Sequence, residues 1–145
     1  MTAPDDPFDL ARFVAAQDPV MAEVRRELHE GRKRTHWMWF VFPQLRGLGV
    51  SATARYYGIT GEEEARAFLD HPVLGPRLVE CVALVNAVTG RTLHEVFGSP
   101  DNLKFHSCVT LFDAVRPGEV SGTALDRWFG GERDARTLVL LHPGA

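Results

Sequence analysis

The spacing of apolar residues is the feature that most constrains how this chain can fold. Wherever it can be counted, apolar residues recur every three or four positions, which is the period of an amphipathic α-helix. Candidate strands are few, at residues 37–42 and 137–141, and neither has a hairpin turn or a partner. The clearest apolar stripes are Leu78, Val79, Val82, Val85 and Val88, and then Phe105, Cys108, Val109 and Phe112. We therefore predict an all-α fold, a compact multihelical single domain of about seven to nine helices.

Capping residues, prolines and glycines divide this domain into elements. A polar cap before a helix, often followed by Pro, is typical of a helix start, and Gly or Pro is typical of its end. The predicted starts are Asp18-Pro19, Ser51, Thr60 with Glu63 as a capping box, Pro76, Thr92, Ser99-Pro100 and Ser121, and the predicted ends include Gly31, Gly58, His71-Pro72 and Gly90. These signals predict one domain over residues 7–142 and a flexible N-terminal leader over residues 1–6.

The composition excludes several classes of function. The 145 residues carry a net charge of −3, with a pI near 6.0, so the overall charge gives no basis for binding nucleic acid or a membrane surface. No apolar run approaches the roughly 20 residues that span a bilayer, and the N-terminus lacks the basic and apolar regions of a signal peptide. We therefore expect a cytoplasmic protein in which Cys81 and Cys108 are reduced core thiols.

Motifs for metals and cofactors do not occur in the sequence. None of the six histidines stands four residues from another, the cysteines form no C-x-x-C pair, and there is no P-loop or G-x-S-x-G motif. The segment from Gly47 to Ala52 has the spelling G-x-G-x-x-A, but Pro43 interrupts the strand that a dinucleotide site requires before it. We expect no metal and no cofactor, and we interpret these glycines as a loop that leads into the helix beginning at Ser51.

An aromatic run with basic residues in front of it is the best pointer to a site. The run from Trp37 to Phe42 is apolar on every side, which predicts a buried central helix that ends at Pro43. The basic residues in front of it are Lys33, Arg34 and His36. The cations either stabilise the end of the preceding helix through its dipole or bind an anion beside the aromatic wall. Trp37 and Trp39 either pack in the core or stack against a flat group such as a nucleobase.

A second cluster lies at the start of the helix that follows Pro100. Asp101 suits the first turn of a helix, whereas Lys104 near the same end is disfavoured by the helix dipole and requires compensation. One interpretation is an ordinary (i, i+3) ion pair between the two. The other is that Lys104 faces a cleft and binds a phosphate or carboxylate of a ligand, with Ser107 adding a hydroxyl. His106 points elsewhere on the helical wheel, and we expect it to be exposed.

Five motifs together resemble an uncharacterised bacterial family whose members often carry the label "calpastatin" and which includes a mycobacterial conserved hypothetical protein of this size. The motifs cover the chain from about Phe8 to Leu141. They are Lys33-Arg-x-x-His-Trp-Met-Trp-Phe-x-Phe-Pro-Gln44, Gly47-Leu-Gly-x-Ser51, His71-Pro-x-Leu-Gly-x-Arg-Leu78, Asp101-x-x-Lys104-x-x-Ser107 and Phe129-x-Gly-x-x-Asp134-x-x-Thr137-Leu138. The resemblance implies a compact multihelical fold and implies no activity. The label does not suit the chain, whose composition is that of a folded domain rather than of a disordered protease inhibitor.

Two functions remain open from the sequence. The first is a domain, either a binding protein or an enzyme, that binds a small anionic molecule such as a nucleotide. Its ligand-binding residues would be Lys33, Arg34, His36, Trp37, Trp39, Lys104 and Ser107, and Asp101 would be the candidate acid or base, better suited to orientation than to proton donation. The second is a non-catalytic interaction or dimerisation module, monomeric or weakly dimeric. The first hypothesis requires that the Lys33 segment and the Lys104 helix converge on one pocket.

Overall fold

The computed structural model describes residues 5–142, and this range contains ten α-helices and no β-strand. The all-α prediction is confirmed, with one helix more than the predicted seven to nine. Within the described range, no helix combines the length and hydrophobicity needed to cross a bilayer. The helices are α1 (Ala11–Gln17), α2 (Met21–Glu30), α3 (Met38–Val41), α4 (Ala52–Tyr56), α5 (Glu62–Asp70), α6 (Leu74–Asn86), α7 (Leu93–Phe97), α8 (Asp101–Val115), α9 (Val120–Phe129) and α10 (Ala135–Leu141). Residues 1–4 of the predicted leader lie outside the described residues.

Helix α8 lies at the centre of the fold and packs against α5, α7, α9 and α10. Its predicted inner stripe is buried, including Phe105 and Phe112. The apolar stripe of α6 packs nearby against α2, α5 and α9. Val79 is the exception to the predicted stripe, because it is 42% exposed and lies one position off the buried row that includes Leu78 and Val82. The predicted burial of the two cysteines is confirmed, and both thiols are free.

Gly75 allows α5 and α6 to approach each other closely. A Cβ atom at Gly75 would lie 2.1 Å from the carbonyl oxygen of Leu69, at the end of α5. Real Cβ atoms do not come this close to a backbone oxygen, so the crossing requires glycine. The close crossing packs α6 directly against α5, which in turn packs against the central α8.

Three of the predicted helix caps are wrong. Asp18 ends α1 rather than starting α2, which begins at Met21 without a side-chain cap. Ser99 does not cap α8, whose N-cap position is Pro100, and Ser121 lies inside α9. The predicted start at Pro76 is also displaced, because α6 begins at Leu74, and none of these four helices has a side-chain cap.

The other predicted caps are borne out in part. The Ser51 hydroxyl accepts a hydrogen bond from the backbone N–H of Ala54, as predicted. At α5, however, the N-cap is Gly61, and the carboxylate of Glu64 rather than of Glu63 accepts hydrogen bonds from Thr60. The cap of α7 is complete, because Thr92 and Glu95 bond reciprocally to each other's backbone N–H.

The aromatic run does not form the predicted central helix. Only the single turn α3 is helical, and Trp37 before it has non-helical backbone angles, with φ at −144° and ψ at 5°. Trp37, Val41 and Phe42 are buried, whereas Trp39 and Phe40 are half-buried. The hydrophobicity of the run is therefore satisfied by packing on both sides of one turn, and this arrangement leaves the ring of Trp39 partly open to solvent.

Candidate functional site

Glu27 of α2 holds the basic segment in place. Its fully buried carboxylate accepts hydrogen bonds from the backbone N–H groups of Arg34 and Thr35, at 2.7 and 3.0 Å. It also accepts from the Thr35 hydroxyl at 2.7 Å and from the indole N–H of Trp37 at 3.0 Å. Burial raises the pKa of this carboxyl group, but the hydrogen bonds outweigh burial and lower the pKa of Glu27 to about 2. Glu27 is therefore charged at neutral pH, and it fixes the backbone that follows Lys33.

Two lysines share one carboxylate beside this segment. Lys33 Nζ lies 3.0 Å from Asp101 Oδ2, and Lys104 Nζ lies 3.3 Å from Asp101 Oδ1. The three side chains are shielded from solvent, since Lys33 is 7% exposed and the other two are 19% exposed. Within residues 5–142, no second carboxylate lies within 4 Å of either ammonium group. The Lys33–Asp101–Lys104 cluster therefore has one positive charge in excess.

Each lysine of the cluster also lies against a tryptophan ring. Lys104 Nζ is 3.7 Å from the centroid of the Trp39 ring, and Lys33 Nζ is 5.1 Å from that of Trp37. Both distances fall in the range of a cation–π contact, which contributes about 0.5–2 kcal/mol depending on how far it is desolvated. The rings replace part of the water that the two ammonium groups lose, so the excess charge can stay beside an apolar wall.

A pocket of about 360 Å³ opens next to this cluster. Residues of α3, of the loop between α3 and α4, of α8 and of the start of α10 surround it. The lining residues are Trp39, Gln44, Leu48, Gly49, Pro100, Leu103, Lys104, His106, Ser107, Asp134 and Arg136. An apolar wall with a few convergent polar groups, in a volume of about 300–1,000 Å³, is typical of a small-molecule site.

The structure brings some of the predicted site residues to this pocket and places others elsewhere. Trp39, Lys104 and Ser107 line it, whereas Lys33 and Asp101 do not line it and are linked to it only through the ion pair of Asp101 with Lys104. Three further residues of the predicted set do not line it. Arg34 forms an ion pair with Glu30 at 2.5 Å, His36 is exposed, and Trp37 is buried with its indole N–H on Glu27.

The prediction that His106 is exposed is wrong. Its ring is half-buried and stacks on Phe129 with 3.8 Å between centroids, and its Nε2 donates to the carbonyl oxygen of Glu132 at 2.8 Å. The helical wheel describes α8 alone, whereas the end of α9 and the loop after it cover this side of the helix. His106 is therefore a fixed part of the pocket wall.

Three residues that were not among the predicted site residues also line the pocket, namely Gln44, Asp134 and Arg136. Asp134 is the N-cap of α10 and accepts from the backbone N–H of Thr137. The spacing Asp134-x-x-Thr137 is the signal that could have identified this cap. Arg136 donates to the carbonyl oxygen of Leu48 at 3.3 Å, and no local sequence pattern indicates that contact.

A larger groove of about 860 Å³ lies between residues 5–18 and residues 67–72. Its carboxylates are already engaged: Asp18 pairs with Arg77 and Asp70 pairs with Arg116. Asp6 accepts from backbone N–H groups at the start of α1. This groove therefore offers little unpaired charge to a ligand, and we place the candidate site at the smaller pocket.

The geometry limits the chemistry at the pocket. Asp101 is held by two lysines at 3.0 and 3.3 Å, which suits a group that orients cations better than a proton donor. In the described part of the chain, no three His, Cys, Asp or Glu side chains are grouped so that they could hold a metal ion. The arrangement can bind an anion beside a flat apolar surface.

The fold and this pocket define a class of all-α domain without an assigned activity. The chain belongs to the family described as "Protein of unknown function (DUF1810)", whose model matches residues 7–141. It is also similar to a solved structure, that of the conserved hypothetical protein Rv1873 from Mycobacterium tuberculosis. The two chains are 56% identical, with a TM-score of 0.89, and the match covers 94% of this chain and 98% of the other. No curated protein is significantly similar to this chain. The resemblance noted from the sequence is therefore confirmed.

Proposed function

We propose that this protein binds a small anionic molecule in the pocket between Trp39 and Lys104. The observation that carries the proposal is the Lys33–Asp101–Lys104 cluster, in which two shielded ammonium groups share a single carboxylate. An excess cation in a partly dehydrated place attracts an anion more strongly than a cation in open water does. Arg136, which is exposed, adds a second cationic group to the pocket lining.

The apolar part of the pocket supports a ligand that is more than a simple ion. The half-buried ring of Trp39 and the side chains of Leu48 and Leu103 lie beside the cationic end. Gly49 contributes a bare backbone to the wall, because a Cβ atom there would lie 2.7 Å from the Cβ of Ala54. A flat or apolar group joined to a phosphate or carboxylate matches these neighbours, and a nucleotide is one molecule of this kind.

A thermal-shift titration of wild type and Lys104→Met tests the proposal. The probes are inorganic phosphate, AMP, ribose 5-phosphate, phenyl phosphate and benzoate. Methionine keeps an unbranched side chain over Trp39 and removes the charge, and Arg25→Met is the matched control because Arg25 is an exposed cation on α2, paired with Glu80. A ligand at a hundredfold excess over its Kd stabilises the folded state by about 2.7 kcal/mol, which raises Tm by about 5–10 °C.

The expected result is a rise in Tm with at least one organic anion for wild type and for Arg25→Met, and a much smaller rise for Lys104→Met. No rise with any probe, or the same rise in Lys104→Met as in wild type, would contradict the proposal. The comparison of phenyl phosphate with inorganic phosphate separates the contribution of the apolar wall from that of the charge.

A second candidate function has one observation in its favour. Four exposed apolar side chains belong to the segments that border the pocket, namely Val50, Leu103, Val139 and Leu140. The tryptophans themselves do not form an exposed patch, since Trp37 is buried and Trp39 is half-buried. An interaction or dimerisation surface would show as a mass that rises with concentration in light scattering and falls back to the monomer in Leu103→Ser. A monomeric mass at all concentrations would leave ligand binding as the better account.

A further inference from the structure

The two oxygen atoms of the Asp134 carboxylate differ in their hydrogen-bond partners. Its Oδ2 atom accepts from the backbone N–H of Thr137 at 3.1 Å and from the Thr137 hydroxyl at 2.5 Å. The same atom accepts from the Ser107 hydroxyl at 3.2 Å, and Ser107 shares this proton with the carbonyl oxygen of Leu103, also at 3.2 Å. These bonds cap α10 and tie it to α8, so Oδ2 has a structural task and its acceptor capacity is filled.

The other oxygen, Oδ1, has no hydrogen-bond donor among residues 5–142. Asp134 lines the pocket, and its backbone N–H is fixed by the Thr110 hydroxyl at 3.0 Å, so the carboxylate is held on both sides. An ionised carboxylate accepts hydrogen bonds and donates none. Asp134 lines the pocket and its Oδ1 atom has no donor among the described residues, so Oδ1 can accept a hydrogen bond from a donor group of a ligand.

The pocket thus combines two kinds of polar group with opposite requirements. Lys104 and Arg136 only donate hydrogen bonds and require an acceptor, whereas Asp134 requires a donor. A plain anion satisfies the cations, and it leaves Asp134 beside a second negative charge. A molecule with both an anionic end and hydroxyl groups satisfies all of them at once.

We propose that the ligand is a phosphorylated sugar, either free or as the ribose phosphate of a nucleotide, with a sugar hydroxyl on Asp134 Oδ1 and the phosphate at Lys104 and Arg136. This inference rests on the proposed function and names the chemical class of its ligand. Carboxylates bind ribose hydroxyl groups in the same manner in dinucleotide-binding folds, so the interaction has adequate strength and geometry. A hydrogen bond to a charged group changes affinity by about tenfold or more.

Calorimetric titration with ribose 5-phosphate and with butyl phosphate tests the inference. The two probes carry the same phosphate, and butyl phosphate has no hydroxyl group. The variant is Asp134→Asn, because Asn is as good a helix N-cap as Asp and its amide oxygen can take over the bonds of Oδ2. Its NH2 group then takes the place of Oδ1, so that a hydrogen-bond donor stands where wild type has an acceptor. Asp126→Asn removes the same charge at an exposed site that lines a different pocket and is the matched control.

The expected result is that wild type and Asp126→Asn bind ribose 5-phosphate about tenfold more tightly than butyl phosphate. In Asp134→Asn, ribose 5-phosphate falls to the affinity of butyl phosphate, and butyl phosphate binds at least as tightly as to wild type. Equal affinities of the two probes for wild type overturn the inference and leave the proposed function intact. Equal losses of both probes in Asp134→Asn also overturn it, because they indicate a purely structural role. Binding of neither probe to wild type overturns the inference, and the proposed function then fails as well only if the other probes of the thermal-shift titration give no rise in Tm. The comparison of ribose 5-phosphate with butyl phosphate on wild type tests the inference even if Asp134→Asn does not fold.

Discussion

Replacing Glu27 with Gln should destabilise the protein in a way that depends on pH. The change keeps the size of the side chain and one of its acceptors, and it removes the negative charge that receives four hydrogen bonds from residues 34–37. Hydrogen bonds to a charged acceptor are about twice as strong as those between neutral groups. The fully buried position of Glu27 means that water does not replace what is lost.

The magnitude follows from the pKa of Glu27. Burial raises this pKa, but the hydrogen bonds of Thr35, Arg34 and Trp37 lower it from the ordinary value of 4.5 to about 2. At about 1.4 kcal/mol for each pH unit, ionisation of Glu27 contributes on the order of 3 kcal/mol to the free energy of unfolding. Because the folded pKa lies below the unfolded one, this stability is present above about pH 4.5 and is lost as the pH falls towards 2.

Urea unfolding of wild type and Glu27→Gln from pH 7 down to pH 2 measures this contribution. The other carboxyl groups titrate in both proteins, so the difference between the two free energies of unfolding isolates Glu27. We expect a difference of about 3 kcal/mol at pH 7 that shrinks towards zero between pH 4.5 and 2. Glu30→Gln is the control, since Glu30 lies on the same helix in an exposed ion pair and should change stability by less than about 1 kcal/mol. A difference that stays constant with pH would contradict the claim that the charge of Glu27 stabilises the fold.

Three further predictions concern the packing of the fold. Gly75→Ala should lower the free energy of unfolding by about 3 kcal/mol in urea titrations, because its Cβ would lie 2.1 Å from the Leu69 carbonyl oxygen, and a loss below about 1 kcal/mol would contradict the close crossing. Thr92→Ala should cost about 1 kcal/mol in thermal unfolding by breaking the α7 capping box, and an unchanged Tm would count against that role. Burial raises the pKa of Cys81 to about 12 and also raises that of Cys108, so neither thiol should react with a disulfide reagent at pH 8 until the protein unfolds; fast reaction in the native state would contradict their burial.

The helical architecture could be predicted because it depends on local sequence properties. A stripe that recurs every three or four residues marks the buried face of α8 wherever the helix packs. The same reasoning fails at single positions such as Val79, where one step around α6 leads from the core to solvent. Caps are less predictable, because a polar residue such as Ser121 suits a helix interior as well as its start.

The aromatic run shows where local reasoning ends. Its hydrophobicity correctly indicates burial of Trp37 and Phe42, and it does not determine the backbone. The backbone just before the run is held by Glu27, which belongs to α2 and whose sequence pattern is that of an ordinary surface acid. Only the folded chain brings this carboxylate to the indole N–H of Trp37.

The candidate site could be predicted only in outline. The residue types of Lys33, Trp39, Asp101 and Lys104 indicate a place for an anion, and their convergence depends on the packing of α8 against the loop after α2. The role proposed for Asp134 depends on the hydrogen bonds of its two oxygens, which only the folded chain determines. The sequence shows a helix cap at this position, and the structure adds that Oδ1 has no donor among residues 5–142.

The indole N–H signals of the tryptophans give the most direct test of the site. In a ¹H–¹⁵N NMR titration with ribose 5-phosphate, the account predicts that the Trp39 indole signal and the backbone signals of residues 103–107 shift together with one Kd. The Trp37 indole signal should stay in place, because it is buried on Glu27. Shifts that cluster at the groove of residues 5–18, or no shift at Trp39 while ligand binds, would contradict the claim that the pocket beside Lys104 is the binding site.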